Sequence, residues 1–157
     1  MAAVVLRFLA RSELWLDEAI TVSIARLPLE DVPDALRRDG APPLYYLLLK
    51  AWFAFPGMPD EGARALSGVF SVLSLPLMAI AARRIGGREG AWAAVLLLAS
   101  SPFAIRYATE ARMYSLLVLL VLIGGLILRR VLDEGRARDA VGVAICTAAL
   151  LLTHYWT

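Results

Sequence analysis

The stretch "ALSGVFSVLSLPLMAIAARR" (65–84) decides the fold, because 18 residues pass without a charge before two arginines end the run. Crossing about 30 Å of hydrocarbon takes a helix of roughly 20 mostly apolar residues. The rest of the chain has the same character, since 60% of its 157 residues are hydrophobic and only 19% are charged. This composition is typical of a membrane protein rather than a soluble globular domain.

Long apolar runs recur along the chain, and they predict an all-α, polytopic membrane module that forms a single partial transmembrane domain over residues 1–157. Residues 1–11 resemble the last turns of a first helix, and residues 12–60 are expected to form a loop of short amphipathic helices. The predicted membrane helices are 61–84, 88–106, 111–132 and 139–157.

The orientation follows from two short connecting loops, "RRIGGRE" (83–89) and "RRVLDEGRARD" (129–139), which together hold seven arginines. The positive-inside rule places such loops in the cytoplasm, so the 12–60 loop is expected on the extracytoplasmic side. Within it, "PPLYYLLLKAWFAF" (42–55) is too short to span and carries Lys50, which favours helices that lie in the membrane interface. The net charge of +2 is small and its basic residues form short clusters, so we expect no nucleic-acid binding.

This topology brings a set of polar side chains to the outer face. They are Asp17 and Glu18 in "LWLDEA" (14–19), Arg64 at the start of the first complete helix, Glu110, Arg112 and Tyr114 at the outer end of the third, and His154 near the outer end of the last. Each has an ordinary explanation, since acids favour the first turn of a helix and arginines anchor helix ends at the interface. Their shared location favours a functional site over these separate explanations.

Four stretches carry a family resemblance: "SELWLDEAITVSIARLPLEDV", "GAPPLYYLLLKAW", "ARALSGVFSVLSLPLMAIAARRIGGREGAWAAVLLLASSPFAIRYATEARMYSLL" and "LLTHYW". In their order and spacing they resemble the N-terminal half of GT-C glycosyltransferases. The resemblance is to the bacterial branch of the dolichyl-phosphate-mannose protein mannosyltransferase family, which is related to the aminoarabinose lipid A transferases. We therefore expect the chain to be part of a longer protein of the bacterial inner membrane.

The resemblance implies an enzyme that moves a sugar from a polyprenyl-phosphate carrier to a lipid, polysaccharide or protein acceptor on the extracytoplasmic face. Asp17, with Glu18 beside it, matches the acidic residue that is the candidate base in an inverting-type attack. Arg64 and Arg112 match basic residues expected to hold the lipid phosphate. The remaining expected substrate contacts are Pro42, Pro43, Tyr45, Glu110, Tyr114 and His154.

Several alternatives stay open at the level of sequence. Two adjacent acids can hold a divalent cation, although the chain shows no clear set of metal ligands. A non-catalytic or inactive membrane fragment is the competing interpretation. A lipid-linked sugar transporter is disfavoured, because the centres of the predicted helices carry almost no charge.

Overall fold

A computed structural model describes residues 1–9 and 12–155 of the chain. Within these ranges all regular structure is helical, which confirms the predicted all-α class. Residues 10–11 and 156–157, which belong to the predicted first and last segments, lie outside the described residues. In chain order the helices are α1 (Ala2–Leu6), α2 (Leu16–Arg26), α3 (Val32–Asp39), α4 (Leu44–Trp52), α5 (Ala63–Ser100), α6 (Pro102–Ala108), α7 (Tyr114–Glu134) and α8 (Ala137–Leu151), with a 3-10 turn at Asp60–Gly62.

Two helical segments in the described part of the chain are long and apolar enough to cross a membrane, Asp60–Ser100 and Tyr114–Glu134. Only 28% and 17% of their most apolar windows are buried in the protein, so most of this apolar surface faces outward. A core helix of a soluble protein would be mostly buried instead. Helix α8 has 15 residues and is about 22 Å long, so the fourth predicted span remains a prediction.

Helix α5 is divided by a sharp turn into a first arm (63–85) and a second arm (88–100). At the turn, Gly87 has φ 63° and ψ −154°, a conformation that is essentially restricted to glycine. The second arm folds back along the first, since the buried Arg7 donates hydrogen bonds both to Ser71 Oγ (2.9 Å) and to the carbonyls of Leu98 (2.9 Å) and Ala99 (3.1 Å). The sequence prediction placed its helices 61–84 and 88–106 on either side of this turn.

The predicted helix 88–106 is interrupted at Ser101, where the backbone is extended with ψ 119°. Proline disfavours the helical region for the residue that precedes it, and Pro102 follows directly. Ser101 Oγ then accepts a hydrogen bond from the amide of Ala104 (3.3 Å) and begins α6. As a result, α6 leaves the line of α5 and carries its polar end toward α2.

The short helices α2 and α4 pack against each other, and α4 packs on α5, which also contacts α7. Their inward faces share one hydrophobic core. Its buried members are Val22, Ala25, Tyr45, Leu49, Ala63, Leu66, Ala111 and Leu116. A second cluster of Ile24, Val32, Leu36 and Tyr46 fastens α3 to α2 and α4.

Candidate active site

The candidate active site is a cleft of about 340 Å³ where α2 meets α6 and the start of α7. Asp17, Glu18, Glu110, Arg112 and Tyr114, all expected from the sequence, line this cleft. Its wall also includes Trp15, Leu16, Arg106 and Tyr107. The fold thus brings residues from the predicted 12–60 loop and from the outer end of the third predicted helix to one place.

The two neighbouring acids of α2 point in different directions. Glu18 is 1% exposed and shares the inward face of α2 with Thr21, Val22 and Ala25. Asp17 is exposed and borders the open part of the cleft. Successive residues of an α-helix are about 100° apart around its axis, so burying Glu18 directs Asp17 away from the core.

Glu18 forms a buried ion pair with Arg64, in which Nε donates to Oε1 (2.8 Å) and Nη2 to Oε2 (2.6 Å). The same carboxylate accepts from the amides of Ala111 (2.7 Å) and Trp15 (3.0 Å). A carboxylate has about four acceptor sites, so these bonds saturate Glu18. The bond to the Trp15 amide also caps the start of α2.

The pKa of the Glu18 carboxyl is set by opposing effects. Burial raises this pKa, but the hydrogen bonds from Arg64, Ala111 and Trp15 and the charge of Arg64 lower it by more. The net pKa therefore lies below the ordinary value of 4.5. Glu18 is charged at neutral pH and is unsuited to accept a proton there.

Arg64 serves as a structural cross-link between α5, α2 and the segment before α2. Besides its two bonds to Glu18, it donates to the carbonyl oxygens of Ser12 (2.6 Å) and Glu13 (2.9 Å). Four of the five guanidinium N–H groups are thereby used. Arg64 borders a separate cavity of about 410 Å³ rather than the cleft, so its geometry fits a positioning role better than the expected grip on a lipid phosphate.

Asp17 and Arg112 differ from this pair. Within residues 1–9 and 12–155, neither of these two side chains makes a hydrogen bond or an ion pair to another residue. The backbone of Arg112 is nonetheless fixed, because its carbonyl accepts from Ser67 Oγ (3.1 Å) and its amide donates to the carbonyl of Glu110 (2.8 Å). The cleft thus holds one carboxylate and one guanidinium that are available to a ligand.

Arg106 and Tyr107 are two cleft residues that the sequence reasoning missed. Arg106 Nε donates to Glu110 Oε1 (2.9 Å), while 68% of the Arg106 side chain stays exposed. The Tyr107 ring lies 4.5 Å from the ring of Tyr114. The available signal was the four-residue spacing of Arg106 and Glu110 in "RYATEARMY" (106–114), which places the two side chains on one helix face.

The other expected contacts do not line the cleft. Tyr45 is 1% exposed, its hydroxyl shares a 2.9 Å hydrogen bond with Ser67 Oγ, and burial raises its pKa, so it acts as a core residue. Pro42 is buried, and Pro43 precedes α4, whose first amide, that of Leu44, donates to the carbonyl of Leu152 at the end of α8 (2.9 Å). His154 follows two residues later, so it lies near the double proline rather than at Asp17.

The adjacent acids do not form a ready cation site. Among the described residues no group of three or more His, Cys, Asp or Glu side chains is placed to hold a metal ion. The oxygens of Glu18 are all engaged by protein donors, which leaves only Asp17 of the pair. This donor set is poorer than the six or more oxygen ligands that a calcium ion takes.

The chain was compared with models of protein families. The family model described as dolichyl-phosphate-mannose-protein mannosyltransferase matches residues 40–157, well over half of the chain. Comparisons with curated proteins and with solved structures found no match. The matched range includes the cleft residues of α6 and of the segment that leads into α7, among them Arg112, whereas Asp17 and Glu18 precede it. The chain belongs to the dolichyl-phosphate-mannose-protein mannosyltransferase family, whose members are membrane glycosyltransferases of the GT-C type.

Proposed function

We propose that this chain forms the catalytic part of an enzyme that transfers a sugar from a polyprenyl-phosphate carrier to an acceptor hydroxyl. The observation that supports the proposal is that charged residues of one cleft differ in whether protein donors already occupy them. Glu18 is saturated by protein donors, whereas the side chains of Asp17 and Arg112 make no hydrogen bond or ion pair with another described residue. Fixed surroundings with one available base and one available cation suit transfer of a group from a phosphate.

In the proposed reaction Asp17 removes the proton of the acceptor hydroxyl as its oxygen attacks the anomeric carbon of the sugar. The bond between that carbon and the phosphate oxygen breaks, and the lipid phosphate leaves with the electron pair. Attack opposite to the leaving phosphate inverts the anomeric centre. Asp17 holds the released proton until it passes to water.

Arg112 supplies the positive charge for the departing phosphate. A guanidinium can donate two hydrogen bonds to a phosphate and stays charged near lipid. The exposed terminal nitrogens of Arg106 lie on the same cleft and add a second cation, while its Nε stays with Glu110. Negative charge that gathers on the phosphate would thus meet two arginines.

The ion pair of Glu18 and Arg64 positions this machinery. It fixes the rotation of α2 on α5, and the amide of Ala111 ties the same carboxylate to the segment that carries Arg112. Rigid placement of reacting groups contributes directly to rate. Glu18 and Arg64 are therefore positioning residues in this proposal, and Asp17 is the base.

A neighbouring cavity offers a path for the lipid tail. This cavity of about 420 Å³ lies between α5, α6 and α7 and shares Tyr107 and Tyr114 with the cleft. Its walls include apolar groups from Leu98, Phe103 and Val118. A polyprenyl chain in this cavity would present its phosphate to the cleft.

We also propose a topology and a location for the cleft. If the basic turn of α5 lies in the cytoplasm, the cleft lies on the extracytoplasmic face of a bacterial inner membrane, because the first arm separates the two by about 33 Å, the rise of 22 residues. Pro43 and His154 would then contact the acceptor from the neighbouring surface rather than the reacting atoms, whereas Pro42 is buried.

The test compares Asp17→Asn with Glu30→Gln in the full-length protein, in membranes supplied with a radiolabelled polyprenyl-phosphate sugar. Glu30 is an exposed acid of the same loop, so its substitution changes the same charge away from the cleft. We expect Asp17→Asn to lower transfer by at least about a hundredfold, the usual scale for loss of a general base, and Glu30→Gln to leave transfer unchanged. Near-normal transfer by Asp17→Asn, at equal protein level in the membrane, would refute the assignment of Asp17 as the base.

A further inference from the structure

A second groove, remote from the cleft, lies between the two arms of α5 at their turn. This turn groove has a volume of about 520 Å³, within the range of roughly 300–1,000 Å³ common for small-molecule sites. We define it by Pro76, Ala79, Trp92 and Val95 along its length and by Arg83 and Arg88 at its end. It shares no residue with the candidate active site.

The groove has the two-part chemistry of a phospholipid. Its length is apolar, with Trp92 61% exposed toward the surroundings. Arg83 and Arg88 are exposed, and within the described residues neither takes part in an ion pair. Glu89 follows Arg88 in the chain but is not part of the groove wall. Two uncompensated arginines thus stand at one end of an apolar channel.

The position of the turn along the membrane normal fits the same ligand. The first arm rises about 33 Å from Ala63 to Ile85, which is close to the hydrocarbon thickness of a bilayer. When Arg64 lies at one interface, Arg83 and Arg88 therefore lie at the headgroup level of the other. Basic pockets between membrane helices at that level attract the headgroups of anionic lipids.

We propose that the turn groove binds one anionic phospholipid from the leaflet opposite the candidate active site. Its phosphate would lie between Arg83 and Arg88, whose guanidinium groups can donate paired hydrogen bonds to phosphate oxygens. An acyl chain would run along Ala79 and Trp92 between the arms. Such a lipid would stabilise the hairpin of α5, because it adds contacts across two arms that otherwise leave a space between them.

The test is lipid binding by the purified full-length protein, measured by native mass spectrometry with phosphatidylglycerol and with phosphatidylcholine of the same acyl chains. We expect the protein to bind phosphatidylglycerol on the order of tenfold more tightly, since each arginine near the surface favours an anionic lipid. The double variant Arg83→Gln, Arg88→Gln should lose this preference.

A matched control separates the groove from general surface charge. Arg84→Gln with Arg130→Gln removes the same charge from the same membrane face, but neither residue lines the groove. This control should keep the preference for phosphatidylglycerol. Ala79→Trp, which fills the apolar part and leaves both arginines, should weaken binding of both lipids.

Two results would overturn the proposal. One is an equal loss of phosphatidylglycerol binding in the two double variants, and the other is the absence of any preference in the unmodified protein. Helix content by circular dichroism checks that each variant is folded, and the exposed positions of the four arginines make misfolding a poor explanation for a selective loss.

Discussion

Removal of either partner from the buried ion pair of Glu18 and Arg64 should destabilise the fold far more than removal of an exposed partner elsewhere. In Arg64→Met, Glu18 keeps the amides of Ala111 and Trp15 but loses two charged donors, while it remains 1% exposed. Removing one member of a buried pair costs about 3–5 kcal/mol. That is a large share of a total stability of about 5–15 kcal/mol.

The contribution can be isolated by a double-mutant cycle of Arg64→Met and Glu18→Gln. Because each single variant leaves the other partner buried and unmatched, we expect the two losses to be non-additive by about 0.5–3 kcal/mol. The exposed pair of Arg26 and Asp60, with side chains 41% and 56% exposed, is the matched control. Asp60→Asn should cost only about 0.2–1 kcal/mol.

The assay is reversible unfolding in mixed detergent micelles by increasing sodium dodecyl sulfate. Tryptophan fluorescence reports in part on α2 and α4, because Trp15 precedes α2 and Trp52 ends α4, where its indole donates to the carbonyl of Gly62 (3.0 Å). If Arg64→Met and Glu18→Gln each lowered the free energy of unfolding by less than about 1 kcal/mol, and the two losses were additive, the pair would behave as a surface ion pair. That result would refute the reasoning.

The pH dependence gives an independent check with a defined sign. The pKa of Glu18 is lower in the folded protein than its ordinary value of 4.5, so the unfolded chain binds more protons as the pH falls. The contribution of Glu18 to stability is therefore fully present above about pH 4.5 and is lost as the pH falls through the lower folded pKa. Glu18→Gln should flatten the stability profile in this acidic range, and an unchanged profile would contradict the cause assigned to the shift.

Three further predictions follow from the same structure. Arg112→Gln should lower the transfer rate by about 10²–10³-fold with normal membrane insertion, as measured with the radiolabelled donor. Arg112→Lys should retain a higher rate than Arg112→Gln. A rate for Arg112→Gln equal to that of the unmodified protein would contradict the proposed contact of Arg112 with the phosphate. Gly87→Ala should destabilise the hairpin by about 1–3 kcal/mol because of its φ of 63°, whereas Gly125→Ala in open space within α7 should not, as measured by the same unfolding assay. Tyr45→Phe should cost about 0.5–1.5 kcal/mol by removing the bond to Ser67 while transfer persists, and a selective loss of transfer would instead favour substrate contact.

Much of the fold could be predicted because its signals are local. The apolar run that ends at Arg83 and Arg84, and the double glycine that follows, predict a helix and its end without knowledge of any partner. The interruption at Ser101 was available in principle, since Pro102 restricts the residue before it. The sequence prediction nevertheless continued this helix to residue 106. It was based on hydrophobicity, and one residue with an extended backbone does not change the hydrophobicity of the segment.

The candidate site was harder to predict, because similar residues take different roles there. Arg64 and Arg112 were both expected to hold phosphate, yet the guanidinium of Arg64 is occupied by Glu18, Ser12 and Glu13. Tyr45 and Tyr114 were both expected at the substrate, yet Tyr45 is buried against Ser67. These differences depend on which side chains meet across the core.

The sequence by itself determined the helical class and the apolar segments, and it singled out "LWLDEA" (14–19) as a candidate for chemistry. The tertiary structure alone decided which of its two acids is available. Glu18 meets Arg64, 46 residues away, and the amide of Ala111, 93 residues away, and these contacts set the rotation of α2. Since adjacent helical residues point about 100° apart, fixing Glu18 in the core leaves Asp17 facing the cleft.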